Sequence, residues 1–459
     1  MIAKQLLEEV LGRAMSTGAD FAEVFAENSR YNAIRMIDSK VEEISDTTVA
    51  GVGIRAFSGL RMVSASTTDL SREGLLRCAG QVADVLADGK AEIAIHLTER
   101  INPNIHPVKI VPDTAKKSTK IDILKSGYFA AKEYAPEISQ VSGMLLDVDH
   151  SILIANSDGL LTGDRQIRTR LALSAVASRD GENQSGSEAP GSRMGLEMFE
   201  TVDPAGVGRE AARQAMVNLG ASYCPAGKMT VAIENGFGGV IFHEACGHSL
   251  EATSVARNTS QMAGKLGQKI ASEKVTAIDD GTIPNAWGSM NIDDEGTPSN
   301  RKVLIEKGVL KCYMIDKLNG RRMGMDANGS SRRQSFAFDP TSRMTNTFIE
   351  NGDDKNEDII ASIEYGLYAK KMGGGSVNPI DGSFNFAVSE GYLVKNGKIC
   401  EAVRGASLIG KGSEILMDID MVGQNLARGQ GMCGSSSGSI PTDVGQPLIR
   451  VRQITVGGR

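Results

Sequence analysis

Phe242-His243-Glu244-Ala245-Cys246-Gly247-His248 gathers two of the chain's five histidines around a carboxylate, with a thiol between them. No other stretch concentrates so many groups able to hold a metal. In the familiar metalloprotease arrangement, H-E-x-x-H, imidazoles at i and i+4 of a helix point at one zinc and the Glu beside it serves as general base. Here the second His comes one residue later. At about 100° per residue, positions i and i+4 lie roughly 40° apart around a helix axis, whereas i and i+5 lie roughly 140° apart. A regular helix would therefore turn His243 and His248 away from each other, and a shared metal requires a distorted one. A π-bulge, one residue inserted into a turn, would bring the imidazoles back into line, and Gly247 makes such a distortion cheap. Taken alone, the stretch leaves open both a metal site and two ordinary helical histidines.

A catalytic zinc needs a third protein ligand and an open position for water. Gly431-Met432-Cys433-Gly434-Ser435-Ser436-Ser437-Gly438 offers one, because glycines on both sides would present the Cys433 thiolate on a tight turn. Spacing does not separate that reading from a buried free thiol. Cys246 competes for the role, but inside the helix it would struggle to reach the same face. Asp279-Asp280 and Asp293-Asp294-Glu295 read as solvated turns, with a hard-cation site as the alternative, and His106 beside Pro107 reads as a solvated loop residue. Arg332-Arg333 are candidates for holding a peptide carboxylate. Ser435 to Ser437 read as a flexible loop rather than a nucleophile, since no G-x-S-x-G elbow is present.

The elements that must position these groups follow from composition and periodicity. At 459 residues, 41% apolar and 23% charged, the chain can build two or three domains with sizeable cores. A net charge of −6 argues against a nucleic-acid partner. No run approaches the roughly 18 apolar residues that span a bilayer. The start, with Glu8 and Glu9 where a signal peptide would be apolar, reads as a helix, which leads to the expectation of a cytoplasmic protein. The six scattered cysteines form no C-x-x-C pair and read as mostly reduced, while 52 glycines and 5% aromatic residues suggest β-structure with many turns.

Apolar residues at Leu6, Leu7, Val10, Leu11 and Met15 predict a first helix, Phe21 to about Ser66 an antiparallel meander, and Ser71 to Leu86 a second helix. The Pro-rich stretch 101–107 marks a boundary. A helix over 114–135, strands at 143–149, 152–156 and 167–178, an exposed loop at 180–187 that could act as a lid, and a helix near 208–219 follow. Cys224-Pro225 opens the last part, where hairpins turn at Lys307-Gly308 and Asn396-Gly397. The fold class is α+β. We read an N-terminal helix-and-antiparallel-sheet domain at 1–100, a central α+β region at 101–226 and a large β-rich C-terminal domain at 227–459 carrying the distorted helix.

Several segments resemble the TldD/PmbA family of metallopeptidases, and its TldD branch more than its TldE (PmbA) branch. They are His243 to Glu251, Asp279-Asp280-Gly281-Thr282, Asp293 to Pro298, Asp316-Lys317-Leu318-Asn319, Asn328 to Ser335, Arg343 to Thr347, Cys433-Gly434 and Val444-Gly445-Gln446-Pro447. They run in collinear order over most of the last 230 or so residues, and Cys246 between the histidines departs from the pattern. The resemblance implies a Zn2+ site built from His243, His248 and Cys433, with Glu244 as the catalytic carboxylate. It implies hydrolysis of unfolded or extended peptides, and a homodimer or a heterodimer with a TldE/PmbA-type subunit. An exposed strand edge near the site would hold such peptides by backbone pairing. The alternative is a non-catalytic assembly subunit with a structural metal, which would show four protein ligands and no open position.

Overall fold

The computed structural model describes residues 2–87, 89–90, 93–378 and 381–458. Phe21–Ile37, Lys40–Ser58 and Arg61–Thr67 form the expected meander. Ile138–Asn156 pairs along the other edge of Phe21–Ile37, and Leu160–Arg179 pairs with Ile138–Asn156 in turn. One continuous sheet therefore crosses the Pro-rich stretch at 101–107. The expected strands at 143–149 and 152–156 are a single strand.

Strand period decides what each face of this sheet does. Ala22, Val24, Ile34 and Met36 of the first strand point to one face and are buried in apolar clusters. The helices Lys4–Met15 and Arg72–Leu86 cover one end of that face, and Lys117–Lys132 and Pro204–Gly220 cover the other. Glu23, Phe25 and Glu27 point the opposite way, toward the C-terminal half. Glu23 takes two bonds from Arg55, at 3.0 and 3.1 Å, and one of 2.7 Å from Arg333; Arg55 also reaches Glu295 at 2.5 Å. All four side chains are essentially buried. Gly51 and Gly53 leave room for Phe336 to lie on this face; a Cβ on Gly51 would stand 2.3 Å from its ring.

Among the described residues, the C-terminal half contains three further sheets: a two-stranded one, Ser331–Arg332 with Thr341–Ser342, and two large ones. One, with eight strands, includes Gly227–Ile233, Tyr365–Val377, Ser383–Lys395 and Ile449–Gly457. The other has six and runs from the hairpin Arg301–Glu306/Val309–Leu310 through Ala277–Asp280, Asn346–Ile349 and Gly438–Gln446 to its terminal strand Ala427–Ser435. Both predicted hairpins turn where expected, with Lys307, Gly308, Asn396 and Gly397 at positive φ. The largest apolar cluster draws on both sheets and takes in Ile241, Phe242, Ala245, Cys246 and Leu250. The histidine-bearing segment is thus held inside the main core.

Four sequence expectations are corrected. Residues 182–188 are no lid: Asp180 and Gly181, both at positive φ, make a tight turn, and Glu182–Glu188 pairs along Leu160–Arg179 under the helix Pro204–Gly220. Its polar composition hid the strand. His106 is buried, and its Nδ1 accepts from the backbone of Asn285 at 3.0 Å. The two acidic stretches are buried rather than solvated. Asp293 accepts from the backbone N–H groups of Glu295, Thr297 and Ser331, while burial and the nearby Glu295 push its carboxyl up to about 8. Among the described residues, no helix is long and apolar enough to cross a membrane.

Candidate metal centre

The helix Val240–Ala245 breaks at Cys246, whose φ of −133° and ψ of −43° leave the helical region, and the chain resumes as a 3-10 turn over Gly247–Leu250. This break replaces the expected π-bulge. It brings the rings of His243 and His248 face to edge, with centroids 4.9 Å apart at 80°. Gly247 is required here for space rather than for an unusual φ, because a Cβ would stand 2.3 Å from Met344 Sδ. Cys246 turns into the core, and burial pushes its thiol up to about 12.

Cys433 comes from the terminal strand Ala427–Ser435, two residues before the turn of its hairpin with Gly438–Gln446, and not from the turn itself. Its Sγ lies 3.3 Å from His243 Nε2 and 3.4 Å from His248 Nε2, and the three donor atoms lie within 4.8 Å of one another. Zn–S of about 2.3 Å and Zn–N of about 2.0–2.1 Å, set at a tetrahedral angle, require sulfur and nitrogen to be about 3.6 Å apart. The donor set is soft and borderline, as zinc prefers, and the spacing fits. Burial opposes ionisation of Cys433, but the charges and hydrogen bonds of His243 and His248 overcome it and bring the thiol down to about 3. His248 is affected in the opposite sense. Burial lowers its pKa, yet Glu251 and Cys433 hold the imidazole well above its ordinary value.

Two acids flank the cluster. Glu244, next to His243 on the helix, has its carboxylate 3.7 Å from His248 Nε2 and remains partly open to solvent. Glu251 lies 3.2 Å from His248 Nδ1, on the far side of the ring from the thiol. A carboxylate behind a metal-bound imidazole fixes its tautomer and orientation. Glu251→Ala is therefore expected to weaken zinc binding by about 10–100-fold with the fold intact, as read by competition with a chromogenic chelator. Glu251 closes the His243–Glu251 segment with no role legible from residue type alone; its place three residues after His248 is the available signal.

The same holds for Arg343. Fully buried, it donates to Cys433 O at 2.5 Å, Ser437 Oγ at 2.8 Å and Gly438 O at 3.1 Å, clamping the hairpin that presents the thiol. Asp279 in turn holds the segment after Arg343 through Thr345 N, Thr345 Oγ1 and Thr347 Oγ1, at 2.6, 2.9 and 3.1 Å. Asp316 caps the helix Lys317–Met323 and binds Ser342 N at 3.1 Å. Several of the quoted acidic motifs are thus the frame of the centre. Gly412 belongs to the frame too, since a Cβ there would lie 1.8 Å from Ala245 O. Gly412→Ala is expected to cost about 1–3 kcal/mol and to displace the end of the histidine helix, lowering both thermal midpoint and zinc content.

Two imidazoles and a thiol converge beside a carboxylate, a donor set able to hold a borderline metal such as zinc. The chain belongs to the PmbA/TldD metallopeptidase family. Residues 226–458 match the PmbA/TldA metallopeptidase C-terminal domain, 110–219 the central domain and 22–86 domain 1. The Metalloprotease TldD homolog of Haemophilus influenzae is 37% identical over 466 residues, spanning 100% of this chain and 97% of that protein. The Zinc metalloprotease TldD homolog of Saccharolobus solfataricus is 27% identical over 79% of this chain and 83% of its own length. TldE from Thermococcus kodakarensis shares the fold, with a TM-score of 0.76 at 20% identity over 99% of this chain and 100% of that one.

Proposed function

We propose that this chain is a zinc-dependent peptidase of unfolded or extended peptides, with His243, His248 and Cys433 holding the metal and Glu244 as general base. The observation that carries this reading is the convergence of those three donors with a solvent-accessible carboxylate on the same side. Zinc, when bound there, would polarise the peptide carbonyl and lower the pKa of water to about 7. Glu244 takes the proton from the attacking water and passes it to the departing amine. Glu251 holds His248 in orientation, and Arg343 holds the Cys433 strand.

The strand edge supports the preference for extended peptides. Asp443 N donates to Thr345 O, away from the hairpin partner, so Gln430, Met432 and Gly434 turn their backbone groups to the sheet's outer edge. Gln430 O is taken by Arg170, whereas among the described residues no strand pairs with the outer edge at Met432 and Gly434, either side of Cys433, where a peptide strand could add. A closed structural site would need a fourth protein ligand, and the cluster of described residues contains three.

By analogy with the family, the working unit is a homodimer or a dimer with a TldE/PmbA-type subunit. The test is zinc content and cleavage of unfolded peptides by the chain alone and mixed with a TldE-type subunit. About one zinc with cleavage in either setting supports the reading; bound zinc with no cleavage in both favours the structural subunit.

A further inference from the structure

We propose that the cavity between the N-terminal sheet and the Cys433 hairpin is a subsite for a carboxylate carried by the peptide, held by the guanidinium groups of Arg168 and Arg332. This rests on the peptidase reading and adds a specificity to it. The cavity has a volume of about 400 Å³, and its wall includes Met432, which precedes Cys433, and Ile440, which pairs with Cys433 across the hairpin. A peptide lying along the outer edge at Met432 and Gly434 would therefore have this cavity beside the bond to be cut.

Three arginines line the cavity, and two of them, Arg168 and Arg332, lack among the described residues the carboxylate partners that Arg55, Arg193 and the third, Arg333, have. Arg55 and Arg193 bind carboxylates, and Arg333 binds Glu23. Among the described residues Arg168 donates only to neutral acceptors, Trp287 O at 2.9 Å, Gln166 Oε1 at 2.8 Å and Ser289 O at 3.1 Å. Arg332 donates from Nη1 to Met344 O at 2.7 Å, and among the described residues its Nε and Nη2 make no hydrogen bond. Neither Arg168 nor Arg332 has a carboxylate within 4.0 Å among the described residues, although both are buried. Asp294 also lines the cavity; its Oδ2 accepts from the backbone of Arg333 at 2.6 Å, and its charge acts on both Arg168 and Arg332 without pairing directly with either among the described residues. Burial of unpaired charge is costly, and burial pulls the pKa of both Arg168 and Arg332 down, to about 9 and about 10. A ligand carboxylate would relieve that cost with the planar, two-pronged bonds that guanidinium groups make well. Val148, Trp287 and Met290 give the same cavity apolar walls for the stem that carries the carboxylate.

The carboxylate has two sources, a peptide C-terminus or an Asp or Glu side chain, and one peptide series separates them. It comprises a parent peptide with a free C-terminus, its C-terminal amide, and versions with Glu or Gln at successive positions around the cleaved bond. kcat/KM is measured with wild type, and Kd by fluorescence anisotropy with Glu244→Ala. A charge-assisted pair of about 1.5–3 kcal/mol corresponds to about 10–100-fold in favour of the carboxylate-bearing peptide over its neutral twin in both measurements. Arg332→Gln should bring that ratio close to unity, and the arm that loses selectivity identifies the source. Cleavage by wild type without any such ratio overturns the subsite and leaves the peptidase. Selective binding without cleavage of any peptide keeps the subsite and removes the peptidase. If Arg332→Gln does not fold, as judged by circular dichroism, Ser439→Glu places a carboxylate on the cavity wall from an exposed position. It should lower the ratio by repulsion, and an unchanged ratio there overturns the proposal.

Discussion

Glu244→Ala is expected to keep its zinc and lose about 10²–10⁴-fold in kcat, the contribution of a well-placed general base. The reasons are geometric. Glu244 is not one of the three clustered donors, so its removal leaves His243, His248 and Cys433 in place. Its carboxylate nevertheless lies 3.7 Å from His248 Nε2, one of the clustered donor atoms, and is partly open to solvent. Truncation therefore opens no cavity in the core and the fold should be unaffected. The check is zinc stoichiometry by atomic absorption alongside cleavage of an unfolded peptide. Retained cleavage at the wild-type rate would sink the assignment of Glu244 as base. Glu244→Gln, which keeps shape and removes the basic oxygen, should be as inactive as the alanine variant.

Cys433→Ala should lose the metal itself. The thiolate is the one negative donor among the three, and the two imidazoles already hold it ionised by bringing its pKa down to about 3. Removing a ligand should exceed the roughly 10–100-fold that losing an outer partner costs, and purified protein should contain little zinc. Activity falls with it, because the base then has no activated water. Cys433→Ser distinguishes charge from shape: a hydroxyl keeps the geometry but is a poor anion, so zinc should still be largely lost. Unchanged zinc content in either variant would exclude Cys433 as a ligand. Cys246→Ala is the internal control, since that thiol packs in the core away from the other donors, and its replacement should leave zinc content unchanged.

Much of this molecule could be read from local signals. The first helix and meander and the tight turns at Lys307-Gly308 and Asn396-Gly397 all follow from periods of 3.6 or 2 and from turn chemistry. Polarity misled wherever tertiary contacts overrode it. The run 182–188 looks like a loop because its strand lies at the margin of a sheet beneath a helix, with little need of apolar side chains. Asp279, Asp293 and Asp294 look like solvated turns, yet they are buried because backbone N–H groups supply the bonds that water would otherwise make.

The candidate metal centre divides along the same line. The residue types were set by the sequence alone: two imidazoles, a carboxylate between them and a thiol in a glycine-rich stretch 185 residues beyond His248. Their spacing could only pose a problem, because an i, i+5 pair on a regular helix diverges. Tertiary structure resolved it by ending the helix at Cys246, whose side chain is drawn into a core shared by two sheets, and by pressing Met344 against Gly247. Nor could local sequence bring Cys433 to the histidines. That depended on the terminal strand of the six-stranded sheet, on Arg343 gripping its carbonyl, and on Asp279 holding the segment that carries Arg343. Backbone periodicity acts over a few residues and is legible in order along the chain; packing and buried charge act between residues hundreds of positions apart, and only the folded chain brings those together.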